Sequence, residues 1–430
     1  MNATTAQPTN AAQRIESLDV VRGFALLGIL LLNILGFGLH QAAYFDMAAA
    51  IGAGPDAAIN EGVWFTIVMF FEGAMRALFS ILFGAGVVLF LDPERMRGSG
   101  PHFARNFWLF VIGLIDALIL LWIGDILMIY AMCGTLLYLW RNVSPRGLLI
   151  WAAVLIALMS AFYGVTGFGL GKIEQAAMVV QQADDPSQVS AETQELADAW
   201  FEMQPDFQPS TADIEEELAA RRGSYGTAFA HNLELFSEGF FVTALLYLVW
   251  DALAMMLIGM ALYKLGVLHG DRTRRFYLAM MIGGFAVGLG INGLEYMGGV
   301  RTGFTFTSMF PYAQFTYHFG RLGMAIGYMS LLILIVQAGA LSFLRRGLAA
   351  VGRMALTNYI GQSVLGLVIF TGAGFGLVGQ LSLWQLYGVV LGIWVVQIAF
   401  SLFWMARFRF GPLEWVWRVL TYGRSVSIRG

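Results

Sequence analysis

Cysteine is almost missing from this chain. Cys133 is the only one among 430 residues, which excludes a disulfide framework within the chain and any cysteine-based zinc site. Charge is scarce too. Asp, Glu, Lys and Arg make up 12% of the sequence, against about 25% for a soluble domain. The formal net charge of -3 says little about partners, because its distribution matters more; no nucleic-acid partner is expected. The five histidines include no HExxH and no paired spacing, so no metal centre is expected. No repeat of fixed period is visible. What is abundant is apolar surface: 58% of the residues are hydrophobic and the mean hydropathy is +0.69. Length alone allows two or three soluble domains. The hydropathy replaces that reading with an all-α fold, a polytopic helical bundle whose first partner is the lipid bilayer.

A membrane-crossing helix needs about 20 apolar residues. Ten candidate spans appear: Leu18–Leu39, Gly62–Leu91, Asn106–Trp122, Ile126–Trp140, Leu148–Phe168, Phe240–Tyr263, Phe276–Tyr296, Phe319–Ala340, Leu356–Leu377 and Leu383–Met405. The third and fourth are short and meet at Gly124-Asp125. Nineteen of the 25 Lys and Arg residues fall in alternate connections if the N-terminus is cytoplasmic, leaving Arg76, Lys172, Arg221, Arg222, Arg301 and Arg321 as exceptions. The positive-inside rule then places both termini in the cytoplasm. Trp64, Trp122, Trp140, Trp384, Trp415 and Trp417 lie near span ends, as an aromatic belt does. The first 13 residues are polar and are expected to be disordered. The first apolar run, of about 20 residues, exceeds a signal peptide's core, so it is read as retained.

Three regions follow. Residues 1–168 form an N-terminal membrane half of five helices, and 240–430 a C-terminal half of five helices with an amphipathic tail. Between them, residues 169–239 form a soluble insertion with 14 Asp or Glu against three basic residues. The bland reading of this insertion is a solvated acidic cap; the sharper one is a lid or an acceptor-guiding surface.

Ionisable residues inside the spans carry the functional interest. A charge at a helix centre costs roughly 2.5 to 3.5 kcal/mol on translocon scales. Glu72 and Arg76 are four residues apart in the second span, where they form either a structural ion pair or a platform for an anionic group or a proton. Asp116 lies well inside the third span; Asp125, at its outer end, reads as exposed or as the N-cap of the next helix. Asn33, Asp251 and Gln397 are also deep in apolar runs. Arg22 and Asn33, eleven residues apart, share a helix face about 16 Å apart along the axis. Arg22 either pairs with Asp19 or binds an anion. His318, three residues before Arg321, is either structural or a general base on the outer side, and His40 is its outer-side alternative. The glycines Gly374, Gly376 and Gly379 match GxGxxG, but no strand or βαβ unit precedes them, so the nucleotide reading fails. Gly284 and Gly288 mark close helix packing.

Five segments, Arg14–Leu30 (RIESLDVVRGFALLGIL), Glu72–Gly84 (EGAMRALFSILFG), Leu121–Leu127 (LWIGDIL), Gly352–Tyr359 (GRMALTNY) and Gly411–Arg418 (GPLEWVWR), give the chain its resemblance to the bacterial YeiB family. That family is in turn similar to the transmembrane acyltransferases, which include heparan-α-glucosaminide N-acetyltransferase and the O-antigen acetylases. Members carry Arg or Lys, then ten intervening residues, then His or Asn in the first span, and Arg22 and Asn33 match this Arg-x10-Asn form. The resemblance implies acyl transfer from cytoplasmic acyl-CoA, as co-substrate, to a small-molecule or glycan acceptor across the membrane. Arg22, Arg76 and Glu72 would then serve acyl-CoA, and Asp116, His318 and Asn33 the chemistry. One departure stands out: Gly113-Leu-Ile-Asp116-Ala117 has aspartate where the family pattern often has histidine, so Asp116 must take that residue's place if it is the base. The rival reading of the same polar interior is a small-molecule or proton-coupled transporter.

The split of basic residues makes a topological prediction. A cysteine introduced at Ser187 is expected to react with an impermeant maleimide in intact cells stripped of their outer barrier. Reaction only after lysis would overturn the arrangement.

Overall fold

The computed structural model describes residues 16–44, 51–52, 54–92, 99–183, 189–302, 306–423 and 426–429. The polar N-terminal stretch, Arg95, Arg97, Ser187 and Arg424 lie outside them; exposed Glu216 is a described position in the insertion where the same labelling can be done. Among the described residues there is no strand. The helices are α1 (Glu16–Gly38), α2 (Ala57–Phe70), α3 (Ala74–Phe90), α4 (Gly100–Leu118), α5 (Leu127–Leu137), α6 (Pro145–Gln182), α7 (Ala191–Phe207), α8 (Thr211–Arg222), α9 (Tyr225–Leu235), α10 (Val249–Lys264), α11 (Arg274–Thr302), α12 (Phe306–Gln337), α13 (Ser342–Arg353), α14 (Ala355–Phe370), α15 (Leu383–Met405) and α16 (Pro412–Tyr422).

Each expected span meets a helix. Among the described residues seven helical stretches are long and apolar enough to cross a membrane, and 127–140 and 355–370 are shorter apolar helices; α4 supplies the tenth. The protein is a polytopic helical membrane protein. Burial sorts the helices. Along α1, Val20, Ala25, Leu26, Leu30 and Ile34 are wholly buried, so this helix is the bundle's centre. By contrast α6, α11 and α15 turn Leu158, Val165, Ile282, Leu294, Leu391 and Val395 outward. Apolar side chains on a bundle's exterior match hydrocarbon, where a soluble protein would place charge.

Helix α6 has 38 residues, or about 57 Å at 1.5 Å per residue, far more than the ~30 Å of a bilayer core. The expected domain boundary at 168/169 therefore falls within one unbroken helix, whose end packs on α7 through Ala176, Ala177, Ala197 and Trp200. The insertion also docks onto the bundle. Arg221 donates to the carbonyls of Gly36 (2.7 Å), Phe37 (3.0 Å) and Leu39 (2.8 Å), the orphan acceptors at the end of α1. Arg222 donates to Val378 (2.8 Å) and Glu217 accepts from the Gln41 backbone (3.0 Å). Two of its three basic residues are thus anchors. At its solvent side Ser210 and Asp213 form a capping box on α8, which holds the Asp213 carboxyl below its usual range.

Close packing uses glycine. A Cβ on Gly84 would overlap the Met256 carbonyl, and one on Gly259 the Ile81 carbonyl, so α3 and α10 cross backbone to backbone. Gly284 and Gly288 meet Gly323, Met324 and Gly327 across α11 and α12, as their spacing predicts. Trp122 departs from the belt expectation: it is 4% exposed and lies on Phe37 at 4.1 Å between ring centroids. Cys133 is buried, with Sγ near the Val249 carbonyl.

Gly84→Leu should separate α3 from α10. A side chain forced against backbone in a packed core costs about 1–3 kcal/mol or more. The expected outcome is a clear fall in the unfolding temperature in detergent, which Gly86→Leu, with open space around it, should not produce.

Candidate functional site

The second span is not one helix. It breaks at Phe71–Gly73, where Gly73 adopts a left-handed φ of 62°. A Cβ there would lie 2.5 Å from the Tyr317 hydroxyl and 3.1 Å from Arg321 Cδ. Only glycine satisfies both the backbone and the space. The break releases Glu72 from the helix and starts α3 beside it, so Arg76 follows one turn later.

Glu72 and Arg76 meet through a third group. Arg76 Nη2 donates to the Tyr317 hydroxyl at 2.9 Å, and that hydroxyl lies 3.4 Å from Glu72 Oε1. Behind them Asp251, from the first turn of α10, is the hub. Its carboxylate receives Arg321 Nη1 at 2.8 Å and also Nη2, while Arg76 Nη2 approaches to 3.6 Å. His318 Nδ1 is 3.3 Å from Asp251 Oδ1 and accepts from Arg321 Nη2 at 2.7 Å. Arg321 and His318 are each 1% exposed. Tyr163 stacks on the imidazole at 5.6 Å, and the Arg321 guanidinium lies 4.7 Å from the Tyr317 ring centre. Tyr130 hydrogen-bonds Ser80 at 2.6 Å and reaches the Arg76 carbonyl. Two guanidiniums, two carboxylates and an imidazole from α3, α10, α12 and the break thus form one network, buried at Asp251, His318 and Arg321 and part-buried at Glu72 and Arg76. Within it His318 Nε2 is buried and has no hydrogen-bond partner among the described residues.

Of the residues singled out from the sequence, Glu72, Arg76 and His318 come together here, and Asp251 joins them. Arg321 completes the site; it was readable only as an arginine that broke the topological pattern. Asp116 lies elsewhere. It is fully buried in α4 against Asp125 and Ser363, and neither carboxylate oxygen makes a well-aligned hydrogen bond. Asp125 caps α5, accepting from Met128 N at 2.9 Å, but is 2% exposed rather than open to solvent. The Tyr359 hydroxyl receives the Ile126 N–H at 3.0 Å beside it. Arg22 sits at the opposite, basic end of α1, 3.3 Å from Asp19. Asn33 is half-buried on α1, and no contact joins it to the cluster.

A half-open pocket lies where α8 and α9 cover the bundle. Phe37, Leu120, Ile123 and Phe370 form its apolar part, and Glu217, Arg221, His231 and Thr371 its polar rim. Leu120 follows α4, four residues after Asp116, and Gly366 is three residues after Ser363, so the Asp116 end of α4 adjoins the pocket.

Asp251 is the test of the network. Asp251→Asn leaves Arg321 and Arg76 without their shared carboxylate, and breaking a buried pair costs about 3–5 kcal/mol. A large drop in unfolding temperature is expected, partly reversed in Asp251→Leu/Arg321→Met. An unchanged temperature in Asp251→Asn would show that the charges do not depend on one another.

Residues 262–424 match the family described as protein of unknown function DUF418. The chain is 29% identical over 427 residues to the uncharacterized protein YxaH of Bacillus subtilis strain 168, covering 97% of each. It is 29% identical over 416 residues to the uncharacterized protein YeiB of Escherichia coli K12, covering 95% of this chain and 96% of that one. An uncharacterized 39.9 kDa protein of the amylase 3′ region in Bacillus acidopullulyticus is 27% identical over 439 residues, covering 98% and 97%. No solved structure matches. Similarity runs end to end in each relative, and the family match covers the C-terminal helices, so the chain is similar to the YeiB-like proteins over nearly its whole length.

Proposed function

We propose that this chain is an acyltransferase of the bacterial cytoplasmic membrane, with both termini in the cytoplasm. It takes an acyl group from acyl-CoA at the basic end and delivers it to a small-molecule or glycan acceptor at the insertion end. The observation that carries the reading is the buried His318 imidazole, whose Nδ1 accepts from Arg321 Nη2 with Asp251 Oδ1 3.3 Å away and whose Nε2 has no hydrogen-bond partner among the described residues. Such an imidazole becomes a general base when the carboxylate takes the place of the guanidinium at Nδ1 and orients the ring. Once Arg321 leaves Nδ1 and the ring proton moves there to face Asp251, Nε2 takes the proton of the acceptor hydroxyl or amine. The acceptor atom attacks the thioester carbonyl, the carbon–sulfur bond breaks, and His318 returns the proton to the departing sulfur. Arg76 and Arg321 hold positive charge where the carbonyl oxygen gathers negative charge, and Glu72 holds Arg76 in place through Tyr317. Arg22 serves the CoA phosphates, Asn33 lies along the path between the ends, and Asp116, on the part of α4 that adjoins the pocket, stands at the acceptor side.

The Asp116–Asp125 pair favours a second reading. Two touching buried carboxyl groups are suited to holding a proton, as a proton-coupled transporter of a small molecule requires.

Calorimetry with acetyl-CoA on the purified protein separates the two. Binding is expected, weakened ten- to a hundredfold in Arg22→Ala, since a charge-assisted phosphate contact is worth about 1.5–3 kcal/mol and 1.4 kcal/mol is a decade. His318→Gln should leave that affinity intact and lower turnover about 10²- to 10⁴-fold. Asp116→Asn should likewise spare CoA binding; if it alone abolishes turnover while His318→Gln does not, the base is Asp116. No heat at millimolar acetyl-CoA from folded protein would favour the transporter.

A further inference from the structure

The half-open pocket between the insertion and the bundle has fixed walls. Its α9 wall is one helix face, on which Ala228, His231, Asn232 and Leu235 recur at helical spacing. That face is tied down. Asn232 Nδ2 donates to the Ala117 carbonyl at 2.8 Å and the Tyr225 hydroxyl to the Ile119 carbonyl at 2.9 Å, so α9 satisfies the open end of α4. The α8 wall meets the loop after α14 backbone to backbone. Gly372 N donates to the Arg221 carbonyl at 2.9 Å, and a Cβ on Gly372 would overlap the Gly223 carbonyl. A cavity with such walls is preformed, and its space of about 520 Å³, open mouth included, suits a small molecule.

Charge in this cavity is already matched. Its lining holds one carboxylate and one guanidinium, Glu217 and Arg221, in contact at 2.9 Å. All four terminal N–H groups of Arg221 are engaged: Nη1 with Glu217 and Leu39, Nη2 with Gly36 and Phe37. Glu217 also accepts from the Gln41 backbone. A charged ligand would meet no unpaired counter-ion among the lining residues, and a buried charge without one is disfavoured. The capacity that remains is neutral. His231 Nε2 is buried and has no hydrogen-bond partner among the described residues. The Thr371 hydroxyl gives its proton to the Leu367 carbonyl at 2.8 Å, so toward a ligand it accepts. A hydroxyl satisfies both, since it donates and accepts and so suits either tautomer of the imidazole.

Strain marks the apolar wall. Leu121 lines the cavity with a left-handed φ of 58°, a conformation that glycine adopts more readily than leucine. The chain keeps a side chain there against that preference, and it adds to the surface formed by Phe37, Leu120, Ile123 and Phe370.

We infer that this cavity binds a neutral, hydroxyl-bearing amphiphile, with its apolar part against Phe37, Leu121 and Phe370 and a hydroxyl on His231 Nε2. The site stands on its own. Under the acyl-transfer reading its occupant is the acceptor, but the binding does not require acyl-CoA.

The test uses the full chain in nanodiscs of phosphatidylcholine, with an octyl glucoside that carries a diazirine in its alkyl chain. After illumination, mass spectrometry maps the attached label. Attachment is expected within 120–123 and 366–371, and unlabelled hexyl glucoside should compete at least tenfold better than hexyl phosphate or hexylammonium. His231→Leu and Leu121→Gly should each cut labelling of 366–371 at least tenfold, while Glu216→Gln, exposed on α8, leaves it unchanged. Leu121→Gly eases the backbone and keeps the hydrogen bonds that tie the walls, so it reports even if His231→Leu fails to fold. Labelling elsewhere only, equal competition by the charged analogues, or full labelling of either folded variant overturns the inference. Selective labelling of a protein that gives no heat with acetyl-CoA supports the site and removes the acyl-transfer reading. Acetyl-CoA binding without labelling of the cavity does the reverse.

Discussion

The bundle is organised around the cost of placing ions in hydrocarbon. Asp251 can occupy an apolar helix only if cations reach it without water, and both Arg321 and Arg76 do. Each of them is in turn tolerable only because of Asp251 and Glu72. That mutual dependence fixes the register of α3, α10 and α12 against one another. The glycine crossings make it possible, since Gly84 and Gly259 bring the α3 and α10 backbones close enough for short side-chain reach. Packing and electrostatics therefore select the same arrangement.

A similar economy governs the helix ends. The last carbonyls of α1 have no partner in their own helix, and the bilayer offers none. Arg221 supplies three donors from the insertion, 182 to 185 residues away in sequence. Glu414 does the converse for the first N–H groups of α14. Burial pushes its carboxyl up, while those three hydrogen bonds favour the ionised form. Long-range caps of this kind join the insertion and the C-terminal helix to the membrane bundle more specifically than apolar contact does.

The spans were legible because hydrocarbon demands long apolar runs, and their ends because arginine marks one side. The core site was half legible. Glu72, Arg76 and Asp251 announce themselves as charges in apolar sequence, and His318 as a histidine beside one. Their convergence was not legible, because periodicity reports a residue's face on its own helix but not which helix turns toward it. Arg321 illustrates this: it was visible as an exception to charge asymmetry, and its meaning came only with Asp251. Asp116 and Asp125 are nine residues apart across a Gly-containing break, so no helical spacing predicts their contact. The insertion's acidity concealed the few arginines that dock it.

The chemistry of the core turns on one nitrogen. His318 Nδ1 faces two groups that make opposite demands. Ionised Asp251 can only accept a hydrogen bond there, and Arg321 can only donate one. With Arg321 as the partner, the ring proton resides on Nε2 and the imidazole presents a donor. With Asp251 as the partner, the proton moves to Nδ1 and Nε2 presents a lone pair. The position of Arg321 therefore decides whether His318 is an acid or a base toward anything that reaches Nε2. Arg321 also binds Asp251 directly, so a negatively charged group that drew the guanidinium away would leave the carboxylate free to take Nδ1. In such a site the charge that binds and the base that reacts are linked through a single arginine, without movement of the helices that hold them.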